Sequence, residues 1–353
     1  MTSSQLNALT STQLQLVEVA DLQSISTTTV SNLSSVQLNA LSSTQLQKLT
    51  SSQVQALSST QINALNSVQL KGLSVTEVQS LTSSQLNAMT SVALQALENS
   101  DVQSLTTTQV RNLTSVTLNK LSTAQIQALS SSQLQALTST QLNGLNSTQV
   151  VSLTSASVQA LTSTQLNALN STVLQGIETS DLQALTSSQV SALSSTQLNT
   201  LLTTQVQGLS TAQVASLTSS QLNALSSTQL QILESTDLQA LTTSQVSALS
   251  SAQLNTLLST QVQKLTDTQL TALTSSQLNA LSSTNLQAIS GTQIKTLSSA
   301  TLSALSTANI RLLQTQQVAA LTTGQVASIS TTNVAALSST QVGQLTNEQV
   351  GAL

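Results

Sequence analysis

The sequence predicts an all-α solenoid of about 44 very short capped helices, one per octapeptide, wound at roughly 3.4 helices per superhelical turn. Three observations point there. One eight-residue phrase, [Ser/Thr]-[Ser/Thr]-x-Gln-[Leu/Val]-x-Ala-Leu, repeats 44 times from Thr2 to Leu353 without insertion or deletion. Positions 5 and 8 are aliphatic in all 44 copies, Met89 being the only unbranched one. Positions 1 and 4 carry the signature of a helix start. A phase kept over 352 residues makes each copy a step stacked on the last, because a slip would misalign everything downstream. Residues 2–353 therefore read as a single continuous octapeptide-repeat solenoid.

Each element of the octad has a local reason. Position 1 is Ser, Thr or Asn in 37 copies and position 4 is Gln in 30. Together they form a capping box: the position 1 side chain accepts from the N3 amide, and the Gln reaches back to the N-cap amide. The Leu ending one octad then falls at N′ of the next, and position 5 falls at N4. That pair is the hydrophobic staple that sets the entry angle of the chain. Helices of six or seven residues are far below the length at which an isolated helix is stable, so they must stack.

Two competitors fit less well. In one continuous helix the apolar residues, spaced alternately by three and five, would average 4.0 where a straight helix needs 3.6. Their stripe would drift by about 80° per octad. A β-solenoid is the alternative fold, but alternation would put positions 5 and 8 on opposite faces. The chain also has only eight Gly and no Pro for its turns. Disorder is disfavoured by 88 aliphatic residues at fixed positions, each worth roughly 1.5–3 kcal/mol if fully buried. Mean hydropathy is accordingly positive, at +0.15.

The number of helices per turn is read from Asn at position 6. It recurs at Asn7, Asn39, Asn63, Asn87, Asn119, Asn143, Asn167, Asn199, Asn223, Asn255 and Asn279, in steps of 24 or 32 residues, three or four octads. The mean step of 3.4 octads is what a non-integer superhelix produces when rounded to whole repeats, with Asn stacked in rows along one face. Acidic octads at Glu18, Glu98 and Glu178 lie 80 residues apart, near three turns. Leu202 and Leu258, apolar at a cap position, lie 56 apart, near two. About thirteen turns at 9–10 Å each would make a rod on the order of 120 Å.

Composition points away from several functions. The chain has no His, Cys, Trp, Tyr, Phe or Pro, so the usual metal ligands, general base and disulfides are missing. Seven Lys/Arg against eleven Asp/Glu leave a net charge of −4, without the basic stripe or aromatic platforms that nucleic acids need. No apolar run approaches the ~18 residues of a membrane span. A secretory signal peptide is not visible in residues 1–25.

No residue is singled out as catalytic, cofactor-binding or metal-ligating. The Glu-x-x-Asp octads (Glu18 with Asp21, Glu98 with Asp101, Glu178 with Asp181, Glu234 with Asp237) read as carboxylates facing the positive end of a helix dipole. They lack the Gly-turned, oxygen-rich loop of a calcium site. A Ser nucleophile would have no His to activate it, and an enzyme is not expected. The sequons at Asn32, Asn112, Asn146 and Asn170 are what chance gives in a chain this rich in Asn, Ser and Thr.

The octad resembles the Thr-Thr-x-Gln-Val-x-Ala-Leu runs of very large bacterial secreted or surface-associated repeat proteins, most closely at Thr322–Ile329 and Ser338–Leu345. The resemblance implies an extracellular or cell-surface structural role and supplies no functional residues. The expected function is a filament subunit or a surface stalk or spacer; the alternative is an adhesin whose Asn and Gln ladder binds a repetitive polymer such as a glycan. Because Thr2–Leu9 and Thr346–Leu353 keep the aliphatic pair, either the chain is cut from a longer protein or its ends stack on those of neighbours; head-to-tail self-association into a filament is the expectation. Neither a nucleic-acid partner nor a membrane span is.

Overall fold

The computed structural model describes residues 1–353. It consists of 44 α-helices of four to six residues, from Ser3–Asn7 to Asn347–Val350, with no strand. Each octad contributes one helix, and octads are numbered 1–44 below from Thr2. The chain divides into two compact units, Met1–Ala184 and Leu185–Leu353, built on the same plan. Many helices are shorter than the six or seven residues expected, because position 7 often joins position 8 in the corner.

That corner explains why glycine is scarce. In the octad Ser34–Leu41, the last residue Leu41 has φ −66°, ψ 137°, and the next, Ser42, has φ −64°, ψ 155°. Two successive extended residues redirect the chain, so no helix ends in the left-handed conformation that would select Gly. No residue in the chain has positive φ.

The N-termini are built as the octad implies. Ser130 Oγ accepts from the Gln133 N–H at 3.3 Å, and Gln133 Oε1 accepts from the Ser130 N–H at 2.8 Å. Where Leu202 and Leu258 stand at position 1, the side chain has nothing to offer. Half the box survives, the Leu N–H donating to Gln205 or Gln261 at 2.9 Å.

Within each unit a helix packs chiefly on the helix three octads along, as Thr211–Ala215 does on Ser235–Ala240. Hydrogen bonds join octads three and four apart, so the coil closes between three and four helices. Positions 5 and 8 form the core: Leu118, Val158 and Leu222 are fully buried, and Leu121, Leu161 and Leu225 nearly so. Leu118→Ala is expected to cost about 2–5 kcal/mol through the cavity it leaves. Local hydrogen exchange should quicken in its own turn and the turns touching it, with distant octads unchanged. Uniform acceleration along the chain would contradict a stack of nearest-neighbour contacts.

Candidate functional site: the inter-turn amide ladder

The polar side chains that look like caps in sequence also hold turn to turn. Gln133 is 2% exposed. Its Oε1 serves the local cap while its Nε2 donates to the carbonyls of Val102 at 2.9 Å and Leu105 at 2.7 Å, four octads back. Gln53, Gln149, Gln221 and Gln325 repeat the arrangement on the residues 31 and 28 positions earlier. One amide thus satisfies a donor at the start of one helix and acceptors at the end of another, which would be costly if buried unpaired. The sequence shows the first half; the second requires knowing that octads four apart touch.

A second row runs through position 6, and here the stacked Asn expected from the spacing acquires a role. Asn63 Nδ2 donates to Ala88 O at 2.9 Å, and its Oδ1 accepts from the Thr90 N–H at 2.8 Å. Asn87 does the same at Asn112 O and the Thr114 N–H, and Asn143 at Ala168 O and the Asn170 N–H. Each clamps the corner between the third and fourth octads ahead. Gln at position 6 keeps only the donor bond, as in Gln95 to Lys120 O at 2.8 Å.

The two rows substitute for one another. Thr90, Thr114 and Asn170 open octads whose position 4 is Ala93, Thr117 and Val173, which cannot return a bond to the cap amide in Gln's manner. In each, the Asn four octads earlier supplies the acceptor instead. Asn285 and Asn309 at position 4 show the geometry behind this. One methylene shorter than Gln, each donates to carbonyls four octads back, while the caps Ser282 and Ser306 bond to Asn255 and Asn279 at 2.7 Å.

The acidic octads are variants of the same device rather than a separate site. Asp101 Oδ2 accepts from the Glu98 N–H at 2.8 Å. Asp237 accepts from the Glu234 N–H at 3.3 Å and from Thr211 Oγ1, three octads back, at 2.9 Å, and Asp181 accepts from Ser155 Oγ at 2.7 Å. Of the sequons, Asn32 and Asn112 lie exposed at position 7, and Asn146 and Asn170 are exposed N-caps. A void between core residues including Leu49, Leu57, Leu65 and Met89 measures about 10 Å³, at or below the volume one water molecule occupies. A surface hollow of about 390 Å³ among Lys71, Gln95, Glu98 and Ser122 is open and polar.

The repeat model that describes ALTTAQ repeats matches at residues 17–51, 38–67, 94–131, 117–147, 174–211, 231–267, 299–331 and 323–353, about two thirds of the chain. The chain belongs to the ALTTAQ repeat family. No curated protein matches it in sequence.

For this ALTTAQ repeat chain the ladder makes two tests. Asn63→Ala leaves the Thr90 N–H with no substitute acceptor, whereas in Asn39→Ala the Asn66 N–H keeps Gln69 Oε1 at 3.2 Å. The first should cost about 2 kcal/mol and the second about 1, read as amide exchange at Thr90 and Asn66. Equal protection losses would sink the shared-cap account.

The second test is pH. Burial pushes the Asp101 carboxyl above its usual value of 3.8; the bond from the Glu98 backbone opposes this and the Glu98 charge adds to it. A carboxyl with a raised folded pKa leaves the native state holding more protons than the unfolded one, so stability falls as pH rises from 3.8 through the raised value. Asp101→Asn should remove that loss and add donors toward Leu70 O and Leu73 O, as Asn285 does four octads along its own stack. Thermal melts of both proteins across pH 3–7 should diverge upward; parallel curves would overturn the assignment.

Proposed function

We propose that this repeat protein is an extracellular structural element, a filament subunit or surface stalk that works as a spacer. The observation that carries the reading is the use made of its polar side chains. Amides and hydroxyls that could contact a ligand are engaged in capping boxes and inter-turn bonds, as at Gln133 and Asn63. The remaining surface is Ser and Thr with few charges, and only 5% of all residues are charged. The same engagement weighs against the adhesin reading, in which the ladder would bind a glycan. No helix is long and apolar enough to cross a membrane. The resemblance to bacterial surface repeats supports placing it outside the cell.

The first and last octads carry complementary groups. Position 5 is buried through the body of each unit, but Val342 is 41% and Val350 50% exposed. In the first two octads Gln5 and Gln13 are exposed and bond within their own octads. A second copy continuing the octad phase would bring its Gln5 amide to the carbonyls of Val326 and Ile329, four octads back. A heterologous contact of this kind does not close and grows as an open filament.

Electron microscopy of the purified chain should show fibres that lengthen with concentration, and Val342→Asp with Val350→Asp should shorten them. Particles of one length at every concentration would eliminate the filament and leave the spacer.

A further inference from the structure

Large aliphatic residues outside positions 5 and 8 are few, and in the unit Met1–Ala184 six of the exposed ones fall on one line. Leu16, Val36, Val68, Val92, Val116 and Val151 are 77, 69, 68, 81, 69 and 51% exposed. The only other large apolar residues exposed in that unit are Met1 and Val75. The six belong to octads 2, 5, 9, 12, 15 and 19, in steps of three or four octads, one turn each. The stacking of these octads is direct. Ser11–Gln15 packs on Ser35–Ala40, and Ser67–Lys71 on Ser91–Ala96. Asn39 Oδ1 accepts from the Asn66 N–H at 3.1 Å, Gln95 donates to Lys120 O at 2.8 Å, and Asn119 Oδ1 accepts from the Asn146 N–H at 3.0 Å. The side chains stand at position 3, 6 or 7, three and four residues apart and hence on one side of a helix. In the second unit Leu202 and Leu258, both at position 1, are exposed, and Ile232 between them is half-buried.

We propose that this row is a lateral interface on which a second copy of the chain docks side by side. A line of exposed aliphatic groups repeated at every turn, on a surface otherwise of Ser, Thr and amides, is an uncommon feature that suits an interaction surface. Its pitch, one aliphatic group per superhelical turn over six turns, is the chain's own, so a second copy meets it step for step in an antiparallel two-fold pairing. Six octads presenting about four residues each on that side reach the roughly 20–30 residues per partner of a stable interface. The six octads contain no carboxylate, and of their two lysines Lys120 is turned inward, donating to Met89 O at 2.7 Å. Lys71, exposed at position 6 of octad 9, is the one charge left on the row.

The pairing is independent of head-to-tail growth, and the two are separable, since lateral pairing doubles width and axial growth adds length. The test is sedimentation velocity with electron microscopy on the full chain and on the triple variant Val68→Thr, Val92→Thr, Val116→Thr. Thr has Val's shape and already occupies position 3 at Thr12, Thr28, Thr44 and Thr60, so the variant should keep its circular dichroism and melting temperature. The wild type should form paired particles, with lateral affinity roughly tenfold or more weaker in the variant. A wild type of single width at high concentration, or a variant that pairs as well as the wild type, would overturn the proposal. So would a wild type that stays single but binds phosphatidylcholine vesicles through the row.

Discussion

The fold depends on one side-chain amide used in two directions. A helix of four to six residues has almost no hydrogen bonds of its own, since four N–H groups at one end and four C=O groups at the other are left over. An ordinary helix spreads that deficit over three turns or more. Here the deficit is nearly the whole helix, and it recurs every eight residues. Gln at position 4 answers it by accepting from the cap of its own octad and donating to the helix end four octads back. Neighbouring turns are therefore bonded through side chains, much as strands are through their backbones.

That constraint explains the restricted alphabet. A short, oxygen-bearing residue caps best, so position 1 is Ser, Thr or Asn in 37 of the 44 octads. The bridging residue must carry both a donor and an acceptor on a side chain long enough to reach two partners. Gln alone fits fully, and Asn285 fits in one direction only. The corner needs two extended residues and no left-handed one, so glycine has no privileged place. Aromatic rings are absent from a core whose column is filled by one aliphatic pair per octad. Position 4 also admits a carboxylate, at Asp101 with its carboxyl pushed up by burial.

The superhelix leaves its mark in sequence as an alternation of three and four octads. Any feature confined to one side of a coil with a non-integer number of repeats per turn must be written this way. Asn at position 6 follows it because one side chain there reaches the corner between the third and fourth octads ahead. The exposed aliphatic row follows it too, through octads such as 5 and 15 that also carry Asn39 and Asn119. Both are one-dimensional traces of contacts made along the coil axis.

Much of this was legible beforehand. The octad phase, the capping box, the aliphatic pair and the three-or-four alternation are each properties of residues within a few positions of one another, or of a periodicity that can be counted. They determined the helical class, the one-helix-per-octad plan, the core positions and the closing of a turn between three and four repeats. Tertiary structure alone decided what the amides do with their second half. Counting along the chain gives no hint that Gln133 meets Leu105 and Val102, 28 and 31 positions earlier, until the coil is closed. It decided why Ala93 and Val173 are tolerated at position 4, since the replacing acceptors Asn63 and Asn143 lie 27 residues before the caps they serve. It also decided that the Val outside the core positions line up: Val36, Val68, Val92 and Val116 stand exposed in successive turns only because the coil brings octads three and four apart together.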